Sequence, residues 1–249
     1  MKKLLWLLLT IVLFLIWEVA ANKFATLKYF ISSPTASFEY ALNHFHDIIN
    51  SALITSLEST TGFVLAIVFS FTIMLFCLLY PKILKLILPV FITSQILPMI
   101  TLAPLFIALF GMGLLSKIAM VVLMCFFPIF INFSGGVESI PANIKDFLYV
   151  YNAGKRFTIF KITIPLSLPY IFVGLKISAT MAIMGAIVAE FLGARDGLGK
   201  NLYLAPKYSQ PELMVCSIFL TSFLGWLLFK AIVLTEKKIG RWYLNNTKG

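Results

Sequence analysis

Six long apolar runs divide this 249-residue chain: Leu4 to Ala21, Ile54 to Leu79, Leu86 to Phe110, Ile118 to Val137, Leu168 to Leu192 and Leu213 to Leu234. A helix that crosses ~30 Å of hydrocarbon needs about 20 consecutive, mostly apolar residues, and each run is about that long. The runs are apolar on every side. Barrel strands would alternate apolar and polar residues over about ten positions, so the pattern predicts an all-α polytopic membrane protein with six transmembrane helices.

Composition agrees. Hydrophobic residues make up 60% of the chain and charged residues 12%, against about 45–50% and about 25% in soluble domains. The net charge of +10 could suggest a nucleic-acid partner, but such binders gather Lys and Arg on one face. Here the basic residues are spread thinly between apolar runs, which excludes nucleic acid. Cys77, Cys125 and Cys216 lie far apart inside those runs, and we read them as small core or lipid-facing residues.

Lys and Arg set the orientation, because cytoplasmic loops carry the excess. With the N-terminus inside, Lys2, Lys3, Lys82, Lys85, Lys145, Lys155, Arg156, Lys161, Lys176, Lys230, Lys237, Lys238, Arg241 and Lys248 fall inside. Only Lys23, Lys28, Lys117, Arg195, Lys200 and Lys207 fall outside. Both termini are therefore expected in the cytoplasm, as in a multi-pass protein of the cell inner membrane. Met1-Lys2-Lys3, the apolar stretch after it and Val19-Ala20-Ala21 also fit a secretory signal peptide. Cleavage after Ala21 would leave five spans facing the same way.

Short turns are expected at Tyr80-Pro81-Lys82 and Gly111-Met112-Gly113, with an outer segment over residues 22–53. Residues 138–167 are different. About thirty residues of charge and aromatics, ending at Pro165, exceed what a simple turn needs. We expect one transmembrane domain over 1–249 with this loop inside it. Asp146 to Ala153 reads as a short helix with Phe147, Val150 and Tyr151 on one face and Asp146 in its first turn, where the helix dipole favours an anion. Asn152 is suited to the left-handed conformation that ends a helix. A second segment, Phe157 to Ile164, leads to Pro165. On composition alone this is an interfacial helix with its aromatics among the headgroups.

The same stretch resembles the cytoplasmic signature of ABC importer permeases: Glu-Ala-Ala, three residues, Gly, nine residues, Ile-x-Leu-Pro. Without a gap, Asp146 stands at the Glu, Asn152 at the Gly, and Ile162, Ile164 and Pro165 at the last three positions. Phe147 and Leu148 replace the alanines. The similarity extends along most of the chain, to the nitrate, sulfonate and taurine type. It runs through Leu15-Ile16-Trp17-Glu18, Thr55-Ser56-Leu57-Glu58 with Gly62-Phe63, Pro89, Pro98, Pro104-Leu105, and Gly111-Met112-Gly113 with Lys117. It continues through Phe127-Pro128-Ile129 with Asn132, Gly136-Val137, Ala189-Glu190-Phe191-Leu192-Gly193 and Gly197-Leu198-Gly199. Glu58 stands where many sulfonate-type members carry Arg.

The resemblance implies a type I ABC importer permease-like fold without chemistry of its own. Two copies line a path, a separate ATPase subunit holds ATP and Mg, and an extracytoplasmic solute-binding protein delivers a small-molecule cargo. It also implies that the short helix is the coupling element, with Asp146, Phe147, Val150, Tyr151, Asn152, Ala153, Lys155, Arg156 and Phe160 at the ATPase. The cargo would be an oxyanion, a sulfonate or a vitamin precursor such as a pyrimidine, and the acid at Glu58 points away from an anion.

Pathway candidates follow from polarity at membrane depth, where a charge costs about 2.5–3.5 kcal/mol. They are Glu58, Ser94, Gln95, Asn132 and Glu190. Pro89, Pro98 and Pro104 are each expected to remove a helical hydrogen bond. Lys176 and Lys230 are expected to snorkel to the headgroups. His44-Phe45-His46-Asp47 offers three ligand types within four residues, too few for a metal site, and reads instead as an interfacial helix. The chain has no GxxxxGK[ST] and no HExxH, so ATP must be bound elsewhere. Two other classes stay open at this level: a membrane-embedded lipid-modifying enzyme, and a membrane anchor that recruits a soluble partner through 138–167.

Overall fold

The computed structural model describes residues 2–23, 31–193 and 196–246. Lys28, Arg195 and Lys248, used above for orientation, lie outside them. Helices α1 (Lys2–Lys23), α2 (Pro34–Asn43), α3 (Phe45–Leu79) and α4 (Pro81–Ser94) come first. A 3-10 turn at Met99–Leu102, α5 (Ala103–Phe110), α6 (Leu114–Glu138) and α7 (Ala142–Val150) follow. Then come α8 (Lys155–Gly193), α9 (Leu198–Lys207) and α10 (Pro211–Asn246). There is no strand among the described residues. Helices α3, α6, α8 and α10 are each long and apolar enough to cross a bilayer, and the bent pair Pro81–Ser94 with Met99–Phe110 together has the length and apolarity of a broken span or a re-entrant loop. The first apolar run is α1, 22 residues long.

Three expectations need correction, and proline chemistry accounts for two of them. The third run is not one straight helix: α4 and the segment Met99–Phe110 meet at a 93° bend. Pro98 is extended (ψ 104), and the residue before a proline is pushed out of the α region. Pro89 lies inside α4, but Pro104 sits in the first turn of α5, where its absent N–H removes no helical bond. Only some of the three prolines therefore interrupt a helix.

The fifth run begins earlier than expected. Instead of a separate segment ending at Pro165, one helix runs from Lys155, with a π turn at Thr158–Thr163. There Ile164 N–H bonds the Ile159 carbonyl, five residues back. The wider turn relieves the clash between a proline ring and the carbonyl four residues before it. The expected thirty-residue loop thus shrinks to Ser139–Pro141 and Tyr151–Gly154. The third correction concerns His44-Phe45-His46-Asp47. His44 closes α2, its ring stacked on Tyr40 at 4.2 Å, and the other three open α3. At about 1.5 Å per residue, 35 residues exceed the ~30 Å of hydrocarbon, so this span projects beyond it.

The described chain divides into two compact units. The first is Met1–Ser56 with Ile187–Leu224. In it Trp17 of α1 stacks on Phe219 of α10. Glu18 accepts hydrogen bonds from the Thr35 N–H (3.1 Å) and hydroxyl (2.6 Å), and Ser33 caps α2 through the Ala36 N–H.

The second unit is Leu57–Ala186 with Gly225–Gly249. One cluster packs Phe63 and Ala66 of α3 and Val121, Cys125 and Ile129 of α6 against Ala179, Ala182 and Ala186 of α8. Apolar burial drives little association where the solvent is itself hydrocarbon, so small residues that permit close approach matter more. Gly174 is the tightest such point on α8, since a Cβ there would meet the Pro128 carbonyl oxygen at 2.8 Å. Hydroxyls tie the seam around Pro128: Ser178 donates to the Cys125 carbonyl (2.8 Å) and Ser70 to that of Phe126 (3.1 Å). A second cluster gathers Met74, Cys77, Phe130, Phe133 and Ile171, with Phe91 of α4 edge-on to Phe126, Phe127 and Phe130. All three cysteines are buried thiols. Lys176 pairs with Glu236 at 3.0 Å.

Candidate functional site

Pro141, extended at ψ 144, starts α7, so the first turn is Ala142, Asn143 and Ile144. Asp146 therefore sits in mid-helix, and the dipole argument for it fails because the helix begins four residues earlier than the polar pattern suggested. Of its nine residues only Ile144 and Leu148, one turn apart, are not exposed. Phe147, Tyr149, Val150 and Tyr151 stand out, with Tyr149 87% and Tyr151 71% exposed. Phe147 and Tyr151 meet at 4.4 Å between centroids, which presents a joined aromatic face.

The end of α7 follows from hydrogen bonding. Asn152 adopts φ 46, Ala153 N–H bonds the Leu148 carbonyl at 2.9 Å and Asn152 N–H that of Tyr149 at 3.0 Å. This paired closure satisfies two terminal carbonyls and requires a left-handed residue between them. Asparagine adopts that conformation more readily than other non-glycine residues. Gly154 then starts α8, on whose first turns Lys155, Arg156, Phe157 and Phe160 are exposed. Tyr149 and Phe157, not singled out from the sequence, are exposed as well; continuing the helix to Pro141 and α8 back to Lys155 adds both to the exposed aromatics.

The five polar candidates scatter. Glu58 of α3 is 1% exposed and bonded to Lys117 Nζ of α6 at 2.5 Å. Lys117, counted among outer cations, is itself buried. Glu190, near the end of α8, accepts the Thr55 hydroxyl at 2.7 Å and the Gly199 N–H at 2.6 Å. Thr55 in turn accepts the Leu198 N–H at 2.9 Å. Leu198 and Gly199 open α9, so Glu190 and Thr55 together cap its otherwise unbonded N–H groups. Gly197, at φ 112, turns the chain back toward Glu190, and a Cβ there would collide with its carboxylate. Thr55 was not singled out as a site residue, and no local pattern distinguishes it. Asn132 turns its amide onto the Pro128 carbonyl of its own helix at 2.8 Å. Only Ser94 and Gln95 stand at an open place, the bend after α4, with Gln95 exposed. Among the described residues no three of His, Cys, Asp and Glu are placed to hold a metal.

Comparison with known proteins gives a consistent picture. A family model described as the binding-protein-dependent transport system inner membrane component matches residues 78–240, about two thirds of the chain. The formylaminopyrimidine transport permease protein of Halalkalibacterium halodurans is 31% identical over 93% of both chains. The riboflavin transport system permease protein of Chloroflexus aurantiacus is 32% identical over 62% of this chain and 58% of its own. An aliphatic sulfonates transport permease protein of Bacillus subtilis is 31% identical over 58% of this chain and 52% of its own.

Proposed function

The chain belongs to the family of binding-protein-dependent transport system inner membrane components; it is the multi-pass inner-membrane permease subunit of an ABC importer, not an enzyme, and from that premise we propose how it is driven and what it carries. The driving contact is α7 with the start of α8. The observation that carries this reading is the aromatic face of Phe147, Val150 and Tyr151, exposed and held by the closure at Asn152 and Ala153. Exposed, preorganised aromatics are the residue types that anchor protein interfaces. Asp146, Arg156 and Phe160 are exposed on α7 and the start of α8 and would set the register of that face on an ATPase subunit, which holds the ATP and Mg. On this reading α7 and both termini lie in the cytoplasm, an orientation that the Lys and Arg asymmetry supports.

Two copies of the permease would enclose the path, each acting as one domain, with a solute-binding protein outside. Ser94 and Gln95 are the path candidates that the fold leaves open, at the break in the third span. Glu58 and Asn132, bonded to Lys117 and to the Pro128 carbonyl, instead act within the helices of the second unit. The Glu58–Lys117 pair carries no net charge, so Glu58 no longer argues against an anionic cargo. The full-length likeness to a formylaminopyrimidine permease supports a small pyrimidine-like heterocycle.

The test is reconstitution with the cognate ATPase and binding protein. Tyr151→Ala with Asp146→Ala should leave the protein in the membrane and cut uptake at least about tenfold, each lost hot spot being worth ~1.4 kcal/mol or more. Unchanged uptake would sink the docking reading. A thermal-shift screen of the binding protein with pyrimidines, sulfonates and nitrate checks the cargo separately.

A further inference from the structure

Beneath α7, on the side away from the aromatic face, lies a hollow of about 280 Å³. Its floor is apolar: Leu78 and Leu79 at the end of α3, Val137 and Ile140 at the end of α6, and Leu148 and Ile159 above them. Lys145 and Lys155 stand at its rim and no carboxylate lines it. Neither lysine forms an ion pair among the described residues. An apolar floor beneath two cations complements an anionic amphiphile. The helix ends that bound the hollow, at Leu79, Pro81 and Glu138, are the ends of membrane spans, the level at which headgroups sit.

We propose that this hollow binds one anionic membrane lipid, its phosphate between Lys145 and Lys155 and the start of an acyl chain on the apolar floor. Charge complementarity selects the headgroup, since each lysine near an anionic surface adds roughly a factor of five to tenfold. The floor selects a lipid over a free phosphate, because a soluble anion would leave the apolar lining unfilled. The site is also placed to act on the docking element. Leu148 and Ala153, which make the hydrogen bond closing α7, both line it. A bound lipid therefore braces the seat of the aromatic face. This effect rests on the docking reading given above; the binding itself does not.

The full-length permease, released gently from nanodiscs holding phosphatidylcholine and phosphatidylglycerol, is weighed by native mass spectrometry. One phosphatidylglycerol should be retained in preference to phosphatidylcholine. Lys145→Gln with Lys155→Gln should weaken that retention about thirtyfold or more, whereas Lys237→Gln with Lys238→Gln, exposed on α10, should not. Leu148→Trp fills the hollow with both lysines in place and should also expel the lipid. Equal loss in both lysine pairs would mean diffuse attraction and overturn the site. Absence of any phosphatidylglycerol preference would do the same, as would displacement by inorganic phosphate alone, which would mark a phosphate site instead. In the assembled importer, ATPase coupling is then followed against phosphatidylglycerol content. Lipid retained with coupling insensitive to Tyr151→Ala would sink the docking reading alone.

Discussion

The aromatic face of α7 and the buried carboxylates of Glu58 and Glu190 reverse the pattern of a soluble protein. On α7 large rings stand in the open with little beneath them except a helix end held by two hydrogen bonds. At Glu58 and Glu190 charge is enclosed, and each carboxylate is bonded to groups on neighbouring segments. The difference teaches where each kind of residue acts. Enclosed charge cannot be left unbonded and so holds helices to one register; exposed rings stabilise this chain little and are available to a partner. Substitutions at the two places should therefore separate stability from coupling.

The largest loss of stability is expected at Glu58→Ala, which breaks the buried ion pair with Lys117 at about 3–5 kcal/mol. Glu58→Met with Lys117→Met should restore most of it, because replacing both members of a buried pair by apolar groups is often neutral. Thermal unfolding in detergent reads both. A single variant as stable as the pair would show that the two charges do not depend on each other.

Gly197→Ala comes next, at about 1–3 kcal/mol, because φ 112 is strained for any side chain and Glu190 fills the space. If the melting temperature holds, the turn before α9 is not pinned by Glu190.

Smaller again is Asn152→Val, at about 1–2 kcal/mol, since a β-branched residue resists the left-handed conformation. Asn152→Gly should be neutral or stabilising by a few tenths. Equal melting for the two variants would contradict the proposed helix closure.

Phe147→Ala with Tyr151→Ala should move stability least, by less than about 0.5 kcal/mol, as exposed positions do. Uptake should nevertheless fall. A large drop in melting temperature here would mean that the rings support the fold and would erase the contrast with the buried acids.

Much of the architecture was legible in the residues. Six runs predicted six apolar helices, and each falls on helical structure because a chain in hydrocarbon must satisfy its own backbone hydrogen bonds. The closure at Asn152 was legible too, because a left-handed helix end has few acceptable residues. The exposed aromatic face was half legible: Phe147, Val150 and Tyr151 follow from helical spacing, while the exposure of Tyr149 and Phe157 depends on helix boundaries that the pattern did not give. Proline was read too simply. Pro104, Pro98 and Pro165 have the same chemistry but sit in a first turn, a break and a π-relieved helix, and neighbours rather than the residue itself decide among those outcomes.

Run length is a local property, and it sufficed for the all-α membrane class; of the six expected spans, four described helices are long and apolar enough to cross a bilayer, or five with the bent pair. Which polar groups meet is not local. Glu58 lies 59 residues from Lys117 and Thr55 lies 135 from Glu190, and nothing in either neighbourhood names its partner. Only packing brought them together: a buried carboxylate must be bonded, and Glu58 meets the Lys117 ammonium while Glu190 meets the Thr55 hydroxyl and the Gly199 N–H.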